Sequence, residues 1–116
     1  MKKVYELDVY KLAERLSDMI WSDFETWSDK VQKTIGFQII RASDSIAANI
    51  AEGYGRYTPL NRKKFYRYFR GSSEETKAWL RKLFWRKIIS ATRQSEYAEL
   101  INELDLKPNA FINKTK

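Results

Sequence analysis

Residues 31–55 read VQKTIGFQIIRASDSIAANIAEGYG, and within them Ile35, Ile39, Ala42, Ile46, Ile50 and Gly53 recur at spacings of three and four. At about 100° per residue those positions form one stripe of an α-helix, whereas a strand would need strict alternation. The pattern predicts a helix over about 30–53, with Ser28 or Asp29 as its N-cap. Gly53-Tyr54-Gly55 marks the end, because glycine tolerates the left-handed backbone common at helix C-termini. The opposite side of this helix is apolar too: Phe37, Ile40, Ala47, Ala48 and Ala51 share it, with Asp44 the only charge. A helix apolar on nearly all sides is ordinarily buried on nearly all sides, and a four-helix monomer cannot bury both faces of one member. Phe37, Ile40, Ala47, Ala48 and Ala51 are therefore the expected oligomer interface. The alternative is a solvated face of good helix formers.

Outward from this helix the same period continues. Leu7, Tyr10, Ala13, Leu16, Ile20 and Phe24 predict an earlier helix over about 5–25. Thr58-Pro59 reads as an N-cap followed by a first-turn proline. It opens a third helix over about 59–88 with a buried stripe of Phe65, Phe69, Ser72, Thr76, Leu80 and Leu83. Gly71 in its middle is unfavourable by roughly 1 kcal/mol relative to alanine, which suggests close helix approach. Ser90 or Thr92 caps a fourth helix over about 92–106 carrying Tyr97, Leu100, Ile101 and Leu104, and Pro108 is expected to end or kink it. Four Gly and two Pro are too few for a turn-rich β domain. At 116 residues the expected architecture is a single all-α domain over 1–116, an antiparallel up-down four-helix bundle.

Composition narrows function by exclusion. The chain has no Cys and no His, which removes disulfides, thiol nucleophiles, histidine bases and Cys or His metal sites. Only carboxylate chemistry is left to an enzyme. A polar seam on the second helix, Gln38, Arg41, Ser45, Asn49 and Glu52, lines up in one row. With Glu75 of the third helix it could form a network of Arg41, Asn49 and Glu75. Such groups in a helical bundle are read as register-fixing hydrogen bonds rather than catalysts. The expectation is a non-enzymatic protein without cofactor or metal. Glu6 and Asp8 interrupt any apolar signal segment, and no apolar run approaches the roughly 20 residues of a membrane span. A cytoplasmic location and no membrane partner follow as expectations.

Charge supplies the positive evidence. Lys and Arg total 22 against 15 Asp and Glu, a net charge of +7. Residues 1–58 hold 8 basic and 9 acidic side chains, and residues 59–116 hold 14 and 6. Most of the excess lies on the third helix, where Lys63, Arg67, Arg70, Lys77 and Arg81 group away from Phe65, Phe69 and Leu83, with Tyr66, Tyr68 and Trp85 nearby. A ladder of cations at helical spacing suits a phosphate backbone, and the aromatics could stack on unpaired bases. RNA or DNA is the expected partner. The alternatives are an acidic protein docked on a scaffold and a merely solvated face.

The segment 38–55, QIIRASDSIAANIAEGYG, resembles the signature of the bacterial four-helix-bundle family of the 23S rRNA intervening-sequence protein, also labelled a ribosomal protein family. The matched positions are Gln38, Arg41, Ala42, Ser45, Ile46, Asn49, Ile50, Ala51, Glu52, Gly53 and Gly55. Residues 7–13, LDVYKLA, resemble the family's opening, and Phe65, Arg70-Gly71-Ser72 and Glu75 resemble its second motif. Ala47 and Ser28 stand where prolines are frequent, and Phe69 where a small residue is. The resemblance implies an up-down bundle assembled as a homopentamer, without enzymatic activity. It also implies similarity to the accessory variability determinant of diversity-generating retroelements, which binds nucleic acid and a reverse transcriptase. For most members of the family the cellular role is unassigned.

Overall fold

Capping side chains set where three of the helices begin. Ser28, Thr58 and Ser90 stand in extended backbone, and each hydroxyl accepts a hydrogen bond from the N–H three residues on, those of Val31 (3.3 Å), Asn61 (3.2 Å) and Arg93 (3.1 Å). Each cap satisfies one of the N–H groups that a helix start leaves unpaired. The computed structural model describes residues 2–56 and 58–107. A 3-10 turn, Val4–Glu6, leads into α1 (Asp8–Phe24). Helix α2 opens as Asp29–Val31, passes through a π-type turn at Gln32–Gly36 and continues as Phe37–Tyr54. Helices α3 (Pro59–Trp85) and α4 (Ala91–Leu106) follow, and there is no strand among the described residues. Pro108, expected to end α4, lies outside them.

The helix ends differ from expectation in an informative way. Gly55, where a left-handed cap was expected, is right-handed at φ −80°. The only positive φ among the described residues is that of Lys87, at 60°, just past α3. There the Ile88 N–H donates to the Leu83 carbonyl and the Lys87 N–H to the Phe84 carbonyl, both at 2.9 Å. This paired pattern is the Schellman stop, built on lysine in place of the usual glycine. It ends α3 at Trp85, three residues before the expected Ile88.

Helix α2 packs against α1 and most extensively against α3, while α4 packs against α1 and α3. Helices consecutive in the chain are thus neighbours, and α4 closes on α1. The shared core holds Leu16 and Ile20 of α1, Ile39 and Ile46 of α2, Phe69 and Leu83 of α3, and Tyr97, Leu100, Ile101 and Leu104 of α4. Because α2 has two large neighbours, its buried sector is wider than one stripe and takes in Gly36, Ser43 and Ala47. Ala47 therefore faces the core, and its assignment to an oligomer interface is corrected. On α3 the buried polar positions are Ser73 and Thr76, with Ser72 half-buried beside them.

The close approach expected at Gly71 occurs instead at Gly36. A Cβ on Gly36 would lie 2.8 Å from the Phe24 ring and 2.9 Å from the Val31 carbonyl oxygen, both too near. The latter stands immediately before the π-type turn, at whose end the Phe37 N–H donates to the Gln32 carbonyl. Gly36→Ala is expected to cost about 1–3 kcal/mol in denaturant unfolding, as overpacking does. Gly71 has no neighbour within 4 Å of an added Cβ and faces solvent. Gly71→Ala is accordingly expected to stabilise the protein by about 1 kcal/mol in the same measurement.

Candidate nucleic-acid interface

Twenty-seven residues at 1.5 Å rise make α3 about 40 Å long, close to the 45 Å long axis of the molecule. Its cations therefore line one whole edge. Two sides of the helix are occupied. Toward α2, the Ser45 hydroxyl lies 2.7 Å from that of Ser72, to which Asn49 Nδ2 also donates at 3.3 Å. Toward α4, the Ser73 hydroxyl donates to Asp105 at 2.9 Å. What remains is an outward arc that carries Lys63, Arg67, Arg70 and Arg81, all exposed. None of the four makes an ion pair or side-chain hydrogen bond with a described residue.

Lys77 is placed differently from the other four. Its ammonium bridges to Asp105 of α4 at 2.7 Å and to Glu74 at 3.0 Å. Burial works against that charge, but hydrogen bonds to Asp105 and Glu74 outweigh it and raise the Lys77 pKa. Lys77 thus fastens α3 to α4 and at the same time neutralises Glu74, the carboxylate within the ladder. Lys64, Lys82 and Arg86 form a second exposed row about 100° around the helix. The charge count included them, but grouping cations opposite the apolar stripe left them out. Tyr68 is exposed, meets Phe65 edge-on at 5.5 Å and has the Lys64 ammonium 5.9 Å above its ring. Arg56 lies 4.9 Å over Phe65. Trp85 is also exposed, whereas Tyr66 stacks on buried Phe69.

The polar seam forms around a different residue from those expected. Ser45 and Asn49 meet at Ser72, while Glu75 accepts from the Trp79 indole at 3.1 Å and Glu52 pairs with Arg56 at 3.0 Å. Arg41 and Gln38 are exposed and line a cleft with Phe37, Ile40 and Trp79. Arg41, Asn49 and Glu75 are not brought together. Among the described residues no three carboxylates are grouped as a metal site. Of the apolar face, Phe37 and Ala48 are exposed, and Ile40 and Ala51 are half-buried.

One cluster has no local sequence signal because its members lie about 70 residues apart. Asp23, at the end of α1, accepts from Arg93 Nε at 2.9 Å, Arg93 Nη2 at 3.0 Å and the Tyr97 hydroxyl at 2.5 Å. Burial, then the hydrogen bond and charge of Asp23, push the Tyr97 phenol well above its ordinary value. The hydrogen bond that Arg93 donates to Asp23 is likewise the main cause that raises Arg93. The cluster ties α1 to α4 at the end of the molecule where α2 begins.

Among the described residues no helix is long and apolar enough to cross a membrane. No curated protein matches the sequence. The family described as 23S rRNA-intervening sequence protein matches residues 5–109, nearly the whole chain and every helix given above, and the chain belongs to that family.

Proposed function

We propose that the chain is a non-enzymatic, antiparallel up-down helical bundle that self-associates and binds RNA or DNA through phosphates along the outer edge of α3. The observation that carries this reading is the row Lys63, Arg67, Arg70 and Arg81, exposed and without a partner among the described residues, beside a lysine that neutralises the one carboxylate among them. Eighteen residue steps from Lys63 to Arg81 span about 27 Å, the reach of about eight phosphates on one strand. Contacts of this kind position a backbone without reading its bases, so little sequence preference is expected.

The up-down arrangement is supported by contacts that run in opposite senses along α2 and α3. Ser45 and Asn49 meet Ser72, and Arg56 meets Arg62 and Phe65 nearer the connection. Self-association is supported by Phe37, half-exposed, with Ile40, Ala48 and Ala51 on the same outer face. Five subunits follow the family resemblance, and repetition of the α3 edge around such an assembly would raise avidity. Absence of catalysis is supported by the missing Cys and His and by the engagement of Glu52 and Glu75 with Arg56 and Trp79. We place the protein in the cytoplasm, bound to no cofactor and no membrane.

A salt titration tests the reading. Four phosphate contacts per engaged subunit give a slope of log affinity on log salt of about −3.6 for duplex and about −2.8 for single strands. Affinity independent of salt would contradict phosphate binding by this edge.

A further inference from the structure

We infer that the cleft between the first half of α2 and the end of α3 receives the outer face of α4 from a second copy of the chain. The inference rests on the self-association proposed above and adds to it the two surfaces that meet. The cleft has a volume of about 670 Å³, with Ile35, Phe37, Ile40 and Trp79 as its apolar lining and Lys33, Arg41 and Arg86 among its polar lining. None of the lining residues is acidic. Arg41 and Arg86 make no ion pair or side-chain hydrogen bond with a described residue, and Lys33 has only an exposed pair with Asp29 at 2.9 Å. Beside the lining, Glu75 is held by the Trp79 indole at 3.1 Å.

The complementary surface is on the same chain. Glu99, Glu103 and Leu106 follow one another at spacings of four and three on the exposed side of α4, with Glu96 one turn earlier. Leu106 is 80% exposed, the most exposed large apolar side chain described. The only cation in α4, Arg93, is held by Asp23 and reaches Glu96 at 3.4 Å, so Glu99 and Glu103 make no ion pair with a described residue. Two unpaired carboxylates and an unburied leucine thus face three cations and an apolar lining. Charge of opposite sign on each surface favours this register and disfavours each surface meeting itself.

Placement within the fold makes the contact intermolecular. Helices α2 and α4 both pack on α1 and α3, so they lie on opposite sides of the molecule, and the chain cannot put its own α4 face into its own cleft. Complementary patches on opposite sides generate a head-to-tail contact, which closes into a ring when the rotation permits. An acidic peptide or a nucleic-acid strand would fill the cleft but leave the acidic, apolar face of α4 without a role.

Charge exchange tests the pairing. Light scattering on nuclease-treated protein at low salt would compare wild type, Glu99→Lys/Glu103→Lys, Arg41→Glu/Arg86→Glu and the chain with all four changes, each checked for helicity. The expected result is an oligomer for wild type, the mass of one chain for each double variant, and a restored oligomer for the fourfold exchange. An equimolar mixture of the two double variants should also be heavier than either alone, because each retains the surface that complements the other. If the α4 double variant keeps the wild-type mass, the α4 contact is overturned while self-association stands. If both double variants dissociate and neither the exchange nor the mixture restores mass, the pairing is overturned. Wild type at the mass of a single chain would overturn both the pairing and the self-association on which it rests.

Discussion

Asp23→Ala should lower the stability of the protein by about 3 kcal/mol, read as a shift of the denaturant midpoint at constant slope. The carboxylate accepts three hydrogen bonds, two from the Arg93 guanidinium and one from the Tyr97 hydroxyl. Tyr97 is fully buried, and its hydroxyl would lose its one acceptor among the described residues, which alone costs about 1–3 kcal/mol. Arg93 would be left partly buried, with Glu96 at 3.4 Å as its one ion-pair partner among the described residues. Replacement of both Asp23 and Tyr97, with phenylalanine at 97, should cost less than the sum of the two changes, since neither then strands the other.

The same cluster gives a pH dependence with a definite sign. The folded Tyr97 phenol holds its proton well above its ordinary value of about 10. Its contribution is therefore complete below pH 10 and is lost as pH rises, because the unfolded chain releases a proton that the folded chain keeps. Lys77, raised by Asp105 and Glu74, acts in the same direction. Tyr97→Phe should flatten the alkaline fall in stability, leaving the part due to Lys77 and to Tyr10, whose phenol burial and Glu14 also raise.

The four helices were legible because their signals are local. Ser28, Thr58 and Ser90 cap through an N–H three residues away, and the apolar stripes need only a period of about 3.6. The parts that were not legible depend on neighbours distant in sequence. Gly71 and Gly36 are chemically identical, and only the position of Phe24 and the π-type turn decides which one is tight. Ala47 looks the same as Ala48 and Ala51 until the helices packed on α2 cover one of its sides. Lys77 is one rung of a ladder on a helical wheel, but Asp105, 28 residues on, takes its charge. Asp23, Arg93 and Tyr97 had no shared motif at all. The basic edge itself was largely readable, since the side chains that point away from an apolar stripe are those left to solvent.

That edge carries the largest expected functional effect. Reversal of Lys63, Arg67, Arg70 and Arg81 to glutamate would replace the four proposed phosphate contacts by four repulsions, while every substituted position is exposed and unpaired among the described residues. Affinity for nucleic acid should fall by about a hundredfold or more, and the salt slope should largely disappear. Stability should change little, because such surface positions rarely matter by more than about 0.5 kcal/mol each. Lys77→Gln should behave in the opposite way, weakening the join between α3 and α4 with a smaller effect on binding. Fluorescence anisotropy with labelled single- and double-stranded RNA and DNA, on wild type and the fourfold reversal at matched salt and with helicity verified, is the most direct measurement. Salt-dependent binding by wild type and none by the folded variant is the expected result; equal binding by the two would contradict phosphate binding along α3.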